Sequence, residues 1–192
     1  VDPTAVADAK LAFLSSTAVE DRDPDVLADR LRTAIPVTDF SQIGGRSAFC
    51  HRSVTARAGD INVVAGAHTP LFGTAGESAL ATVLLPLEGQ STYWIDGRVL
   101  EGRGQATALY LPGQTYRAQT EAFNGALFTV DPHSLAQTAA VMAGEGEESH
   151  GHYVQKLQEP RQLDRRDRCQ GELIANLEQT LHLLELQTVN GP

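Results

Sequence analysis

Apolar residues recur at helical spacing near both ends of the chain. In the first 35 residues, Thr4 to Ser15 and the stretch after Asp23-Pro24 place apolar side chains three or four positions apart. A second helical pattern follows Asp131-Pro132, and a longer one runs from Pro160 onward. An Asp followed by Pro is a typical helix start, because Asp caps the first turn and Pro fits the first helical position. We therefore predict helices in both flanking regions.

The middle of the chain changes to short apolar runs separated by turns that contain glycine. These runs predict strands near Phe49 to Arg57, Ile61 to Ala65, Ala79 to Leu87, Ser91 to Ile95, Arg98 to Leu100, Ala106 to Leu111, Thr115 to Thr120 and Ala126 to Val130. Asp96-Gly97 predicts a tight hairpin, because both residues tolerate a positive φ. Short strands at this spacing are typical of a sandwich or barrel. The pattern predicts a mainly β, α+β fold with a helical segment (1–46), a β-barrel (47–131) and a second helical region (132–192).

Composition and charge narrow the function classes. Apolar residues make up 42% of the chain and charged residues 20%, as in soluble globular proteins. The formal charge of −9 argues against nucleic-acid binding by this chain alone. The N-terminus lacks a secretory pattern, so we expect a cytoplasmic protein with Cys50 and Cys169 reduced. Because the sequence opens on Val1 and stops soon after a helical segment, we suspect a fragment of a longer polypeptide.

Few residues form a pattern typical of catalysis or metal binding. His150 and His152 have the spacing of a ligand pair, with Glu145, Glu147 and Glu148 nearby. Glycines on both sides favour a solvated loop instead. The sequence contains no Gly-x-Ser-x-Gly elbow and no glycine-rich phosphate loop. We therefore predict no catalytic residue and no cofactor.

Three stretches together resemble the cupin barrel, and in particular the ligand-sensing domain of AraC-type transcription regulators. "LEGQSTYWIDG" is similar to the cupin strand and its Asp-Gly hairpin, and "GRGQATALYLPGQTY" to the next hairpin with its Pro-Gly corner. "ELIANLEQTLHLLELQ" resembles the helix that pairs two subunits in those regulators. The resemblance covers roughly Ser47 to Gln187. It implies a cupin-like barrel, or jelly roll, followed by a long C-terminal dimerisation helix.

The resemblance also bears on metal binding. Metal-containing cupins hold a divalent ion with a His-x-His pair, a Glu and a further His. Their spacing puts the Glu position at Thr82, the last His position at Tyr116 and the pair within residues 75–78. Only Glu77 among these residues offers a metal ligand, and a lone carboxylate does not hold a transition metal. We therefore predict a barrel without a metal.

A barrel without a metal still encloses space lined by alternate residues of its strands. If the family's ligand position faces inward, so does Tyr116, with Thr82 and Leu84 on the opposite strand. The candidate ligand-binding residues are Tyr116, Thr82, Leu84, Tyr110, Trp94 and Tyr93. Alternation sends Tyr93 and Trp94 to opposite faces and leaves open which of them is inside. The leucine stripe of the last helix gives the predicted dimer interface, Leu173, Leu177, Leu181 and Leu184.

By resemblance, the chain is expected to be the effector-sensing and dimerisation domain of a transcription regulator rather than an enzyme. It would bind an unidentified small molecule, form a homodimer and contact no membrane. DNA would be bound only through a C-terminal helix-turn-helix domain that this chain does not include. Two alternatives stay open. A small cupin enzyme, such as a metal-dependent isomerase or dioxygenase, predicts bound metal, and a barrel that serves only as a dimerisation module predicts a cavity filled by its own side chains.

Overall fold

The computed structural model describes residues 3–45, 48–145 and 149–189, and within these ranges the chain forms five α-helices and ten strands. The helices are α1 (Pro3–Ala7), α2 (Pro24–Arg32), α3 (Pro132–Met142), α4 (His150–Lys156) and α5 (Arg168–Val189). The strands are β1 (Val19–Asp21), β2 (Val37–Gln42), β3 (His51–Ala58), β4 (Ile61–His68), β5 (Leu71–Ala75), β6 (Ala81–Ile95), β7 (Arg98–Arg103), β8 (Thr107–Leu111), β9 (Tyr116–Val130) and β10 (Arg161–Asp164). No helix in the described ranges is both long and apolar enough to cross a membrane.

Two long strands organise the sheet. β6 and β9 pair antiparallel along almost their whole lengths, from Ala81 opposite Val130 to Ile95 opposite Tyr116. β8 and β4 flank the first half of this pair, and β7 and β5 flank the second half. The sheet therefore bends into two facing halves, which leaves an open, jelly-roll-like barrel. The mainly β fold with flanking helices that the sequence predicts is confirmed.

The bend lies where the register of β6 against β9 shifts, on both sides of Glu88 and Gly89. Gly89 adopts a φ of +81°, a conformation that side chains with a Cβ rarely accept. A Cβ at this position would also overlap the carbonyl oxygen of Ala122 on β9. The sequence pattern breaks at this point, so it predicts two short strands in place of β6 and two in place of β9. In the structure, β6 and β9 each continue through the bend as one strand.

The first half of the sheet is buried on both faces. Side chains of β4 alternate, so that Val63, Ala65 and Ala67 face outward while Val64, Gly66 and His68 face the interior. The outward face packs beneath the N-terminal segment and α5, which contribute the buried residues Val6, Leu11, Phe13, Ile174 and Leu181 to one cluster. On this side, the N-terminal segment and α5 therefore separate the sheet from solvent.

The N-terminal segment is less helical than its sequence pattern predicts. The predicted helix over Thr4 to Ser15 ends at Ala7, and the chain then continues across the sheet without regular structure. The Arg52 guanidinium donates hydrogen bonds to the carbonyl oxygens of Ala7, Ala9 and Ser15. These bonds satisfy carbonyls that a continuous helix would have paired internally, while Phe13 packs fully buried against the outer face.

Both Asp-Pro starts that the sequence predicts are confirmed. The Asp23 carboxylate accepts a hydrogen bond from the Asp25 amide and caps α2. Asp131 accepts from the amides of His133 and Ser134 and caps α3. These caps satisfy amide groups of the first helical turn that have no partner within the helix.

The flanking segments also add strands to the barrel, which the sequence pattern does not predict. β1 pairs with β3, and β2 with β5. The residues after Pro160 begin with β10, which pairs with β8, so the last helix starts only at Arg168. The predicted boundaries at 46/47 and 131/132 stay a prediction. In the structure, strands from all three segments belong to the same sheet.

The leucine stripe of α5 faces the barrel for most of its length. Leu181 is 3% exposed, and Leu177 and Leu184 are partly buried against the outer cluster. Leu173 is 48% exposed and points away. Three of the four leucines of the predicted dimer interface thus pack within the monomer, because the outer face of the sheet needs an apolar cover, and the interface itself stays a prediction.

A pair of neighbouring substitutions tests this packing. Ile174 is 1% exposed, so Ile174→Ala should lower the free energy of unfolding by about 2–4 kcal/mol through lost burial and a residual cavity. Leu173→Ala, one position earlier in the same helix, should change the free energy of unfolding of the monomer by less than about 0.5 kcal/mol, at protein concentrations too low for two copies to pair. Urea denaturation of both variants measures the difference. Equal effects at the two positions would contradict the packing of α5.

Candidate functional site

A cavity of about 120 Å³ lies between the two halves of the barrel. β6 and β9 supply Leu84, Tyr93, Tyr116 and Phe123 to its wall. β4 adds His68. Leu27 and Leu31 of α2, together with Phe40 of β2 and Leu71 and Ala75 of β5, complete the apolar lining at one mouth. The space is thus enclosed mainly by apolar and aromatic side chains.

Three of the predicted ligand-binding residues border this cavity: Leu84, Tyr93 and Tyr116. The rings of Tyr93 and Tyr116 are 5.8 Å apart between centroids, because their strands pair directly near the Pro112-Gly113 corner. Burial raises the pKa of both phenols, with the neighbouring Tyr116 adding to the shift at Tyr93. Both groups therefore stay neutral at physiological pH and keep a proton to donate.

The other three predicted residues do not border the cavity. Trp94 lies on the face of β6 opposite Tyr93, which answers the question that alternation left open. Tyr110 lies on the outward face of β8 and donates a hydrogen bond of 2.9 Å to the Leu157 carbonyl, and burial raises its pKa to about 12. Thr82 is buried on the inward face of β6 but lies beyond the end of the cavity.

His68 is a cavity residue that the sequence analysis missed. Its ring stacks on Phe123 with 5.2 Å between centroids, and its Nδ1 lies 2.9 Å from the Thr69 carbonyl oxygen. Burial lowers its pKa to about 4, so the ring is neutral at pH 7. A carbonyl oxygen only accepts, so Nδ1 carries the proton and Nε2 keeps a lone pair. Alternation along β4 from Val64 is the sequence signal that would have placed His68 inside.

A second histidine lies directly opposite His68 on β3. His51 is fully buried, and neither of its ring nitrogens has a hydrogen-bond partner among the described residues. Burial lowers the pKa of His51 to about 4, Arg30 lowers it further, and Asp21 opposes the shift. Arg30 also donates a hydrogen bond of 3.2 Å to the Ser53 hydroxyl. This cluster joins α2 to the sheet beside the cavity.

The positions that the resemblance to metal cupins assigns to metal ligands carry no ligand set in this chain. Tyr116 lies opposite Ala75 across β5 and β9, and Glu77 is exposed. In the part of the chain that the structure describes, no group of three or more His, Cys, Asp or Glu residues could hold a metal ion. Tyr116, at the position of the last metal-binding His, instead contacts the Tyr93 ring in the cavity wall.

The His150 and His152 pair does not converge on one point. Both residues lie in α4, where His150 stacks on His133 and His152 contacts the Tyr153 ring edge-on. Glu147 and Glu148 lie outside the described residues. The two imidazoles therefore have separate aromatic partners.

The pKa of His51 gives a test of its burial. Because this pKa is lowered in the folded state, the unfolded chain binds a proton where the folded chain does not, and the free energy of unfolding falls as the pH drops from about 6.5 to about 4. His51→Phe should keep stability at pH 7 and reduce the loss over this range by about 3 kcal/mol. Urea denaturation of wild type and variant at several pH values measures it. An unchanged pH dependence would contradict the buried neutral imidazole.

Comparison with known proteins supports the fold. No family model and no curated protein matches this chain. Its structure is similar to the AraC-like transcriptional activator CuxR, with a TM-score of 0.53, 17% identity, and coverage of 73% of this chain and 66% of that one. This chain therefore spans just under two thirds of the activator's length. The match shows that the two structures share a fold.

Two further structures are more distant. A cupin superfamily protein from Desulfitobacterium hafniense is 15% identical, with 42% of this chain and 76% of that chain covered and a TM-score of 0.35. The cupin domain of an XRE family transcriptional regulator from Enterobacter cloacae is 9% identical, with 41% and 94% covered and a TM-score of 0.35. They overlap with less than half of this chain.

Proposed function

We propose that this chain is the effector-sensing and dimerisation domain of a cytoplasmic transcription regulator, and that its barrel binds a small molecule without a metal and without chemical turnover. The observation that carries this proposal is the mostly apolar cavity between the sheet halves, in whose wall His68, Tyr93 and Tyr116 are the aromatic side chains with a polar group. Binding pockets for small molecules have this character: a mostly apolar wall and a few polar groups that fix orientation. DNA would be bound by a helix-turn-helix domain outside this chain.

The packing around the cavity suggests how binding is transmitted. Leu27 and Leu31 of α2 contribute to the cavity wall, so a bound effector contacts α2 directly. The chain before α2 packs on the outer face of the sheet together with α5. An effector that binds more tightly when α2 is in one position would raise the population of that position. Because the chain before α2 packs together with α5, the packing of α5 on the sheet would shift with it. In this proposal, α5 carries that shift to the DNA-binding domain.

Dimerisation is proposed through the side of α5 that faces away from the barrel. Leu173 and Leu183 are 48% and 51% exposed on this side, whereas Leu181 is buried against the sheet. Two copies could therefore pair through α5 without losing the packing that covers the outer face. This surface shares Leu173 with the four-leucine interface that the sequence predicts and lies farther from the barrel.

Ligand binding can be tested with two tyrosine variants. A thermal-shift screen of small molecules should yield compounds that raise the melting temperature, since a ligand at one hundred times its Kd adds about 2.7 kcal/mol of stability. Tyr116→Phe should weaken such a ligand about tenfold through a lost hydrogen bond. Tyr110→Phe, which removes a phenol outside the cavity, is the matched control and should leave Kd unchanged.

Calorimetric titration of both variants gives the Kd values. A screen without any stabilising ligand would favour a barrel that serves only as a dimerisation module. Equal effects of the two substitutions would contradict the cavity as the binding site.

The dimer proposal predicts a separable loss. Leu173→Glu combined with Leu183→Glu should convert a dimer into a monomer, because two buried carboxylates at the pairing surface would lack partners. The melting temperature of the monomer should stay near that of wild type at low protein concentration. Light scattering after size-exclusion chromatography measures the mass. A dimer that persists in the double variant would contradict this surface.

A further inference from the structure

We propose that the cavity selects compact, neutral, mostly apolar ring compounds that carry one hydrogen-bond donor, and that His68 Nε2 accepts this hydrogen bond. The inference rests on the proposed function of the cavity as a binding site and adds the chemical class of its ligand. Three observations support it: the charges around the cavity, the unused lone pair of one imidazole nitrogen, and the aromatic rings in the cavity wall.

The charges of the wall argue for a neutral ligand. Among the described residues, Arg52 is the one charged residue that borders the cavity, and its guanidinium is already bound to the carbonyls of Ala7, Ala9 and Ser15. Arg30, near the same mouth, donates to the Ser53 hydroxyl. A carboxylate or phosphate that entered the cavity would lose its hydration without gaining an unengaged cation, which is strongly unfavourable.

His68 supplies the acceptor. Its Nδ1 proton is used by the Thr69 carbonyl, and no other described residue forms a hydrogen bond with its Nε2. A lone pair on a cavity wall lowers the affinity of any ligand that covers it without donating a proton. A ligand with a hydroxyl or N–H group satisfies it. The hydroxyls of Tyr93 and Tyr116 are neutral and have their own protons, so they do not require a donor from the ligand.

The rings around the cavity favour a flat or cyclic ligand. Phe123 stacks against His68 on one side, and Tyr93 and Tyr116 lie together on the other strands of the wall. Aromatic side chains contact ring compounds through offset or edge-on arrangements that add to apolar burial. The volume of about 120 Å³ suits a molecule of one or two small rings.

The probes that test this inference are indole, its isostere benzofuran, and indole-3-carboxylate. Indole and benzofuran share shape and apolar area, but only indole carries an N–H donor. At pH 7, indole should bind the wild-type protein about tenfold more tightly than benzofuran or better, because benzofuran leaves Nε2 without a partner. Indole-3-carboxylate should bind more weakly than indole. Calorimetry or ligand-observed NMR supplies the affinities.

His68→Phe is the matched variant, since it keeps an aromatic ring against Phe123 and removes the acceptor. In this variant the two neutral probes should bind with nearly equal affinity. If the variant fails to fold, the comparison of probes in the wild type still decides the question. Benzofuran that binds wild type as tightly as indole, or a preference for the carboxylate, would overturn the inference.

The outcome is separable from that of the proposed function. If all three probes fail while the wider screen finds an anionic or larger effector that depends on Tyr116, the sensor function stands and the assigned ligand class is wrong. If neither the probes nor the screen yields a ligand, both proposals fail together. Preferential indole binding that is lost in His68→Phe supports the inference.

Discussion

The antiparallel pairing of β6 with β9 is the interaction on which the rest of the structure depends. These strands belong to both halves of the sheet, and each half adds its remaining strands to their outer edges. Their shared bend at Gly89 turns one long ribbon into two facing surfaces. The same pairing brings Tyr93 beside Tyr116 and places Leu84 and Phe123 in the wall of the cavity between the two surfaces. The cavity is thus a direct consequence of one bent strand pair.

The burial of the first half-sheet on both faces gives the cavity a connection to the flanking segments. Val64 and His68 face the interior, and Val63 and Ala65 of the same strand face the N-terminal segment and α5. Packed cores are close to incompressible, so a shift of β4 on one face is felt on the other. Arg52 adds a polar link, because its guanidinium fixes the path of the N-terminal segment.

The sequence was informative where the physical signal is local. Asp23 and Asp131 cap the helices that their Asp-Pro pairs predict, because capping depends on neighbouring residues alone. The inward positions of Leu84 and Tyr116 came from the resemblance to cupin barrels. The early end of α1 could not be read from the pattern, since it depends on Arg52, more than forty positions away. β10 and the inward side of α5 likewise depend on tertiary partners, namely β8 and the outer face of the sheet. The inward position of His68 depends on a local signal again, because it alternates with Val64 and Gly66 along β4.

The interior of the barrel encloses an open, mostly apolar space, and the proposed function depends on it. The most direct measurement is a crystal structure determined under xenon pressure, because xenon occupies apolar cavities that are closed to larger solutes. We expect xenon density between Leu84, Tyr116 and Phe123, with the surrounding side chains in place. An interior filled by the barrel's own side chains, with no xenon bound between the two half-sheets, would contradict the account.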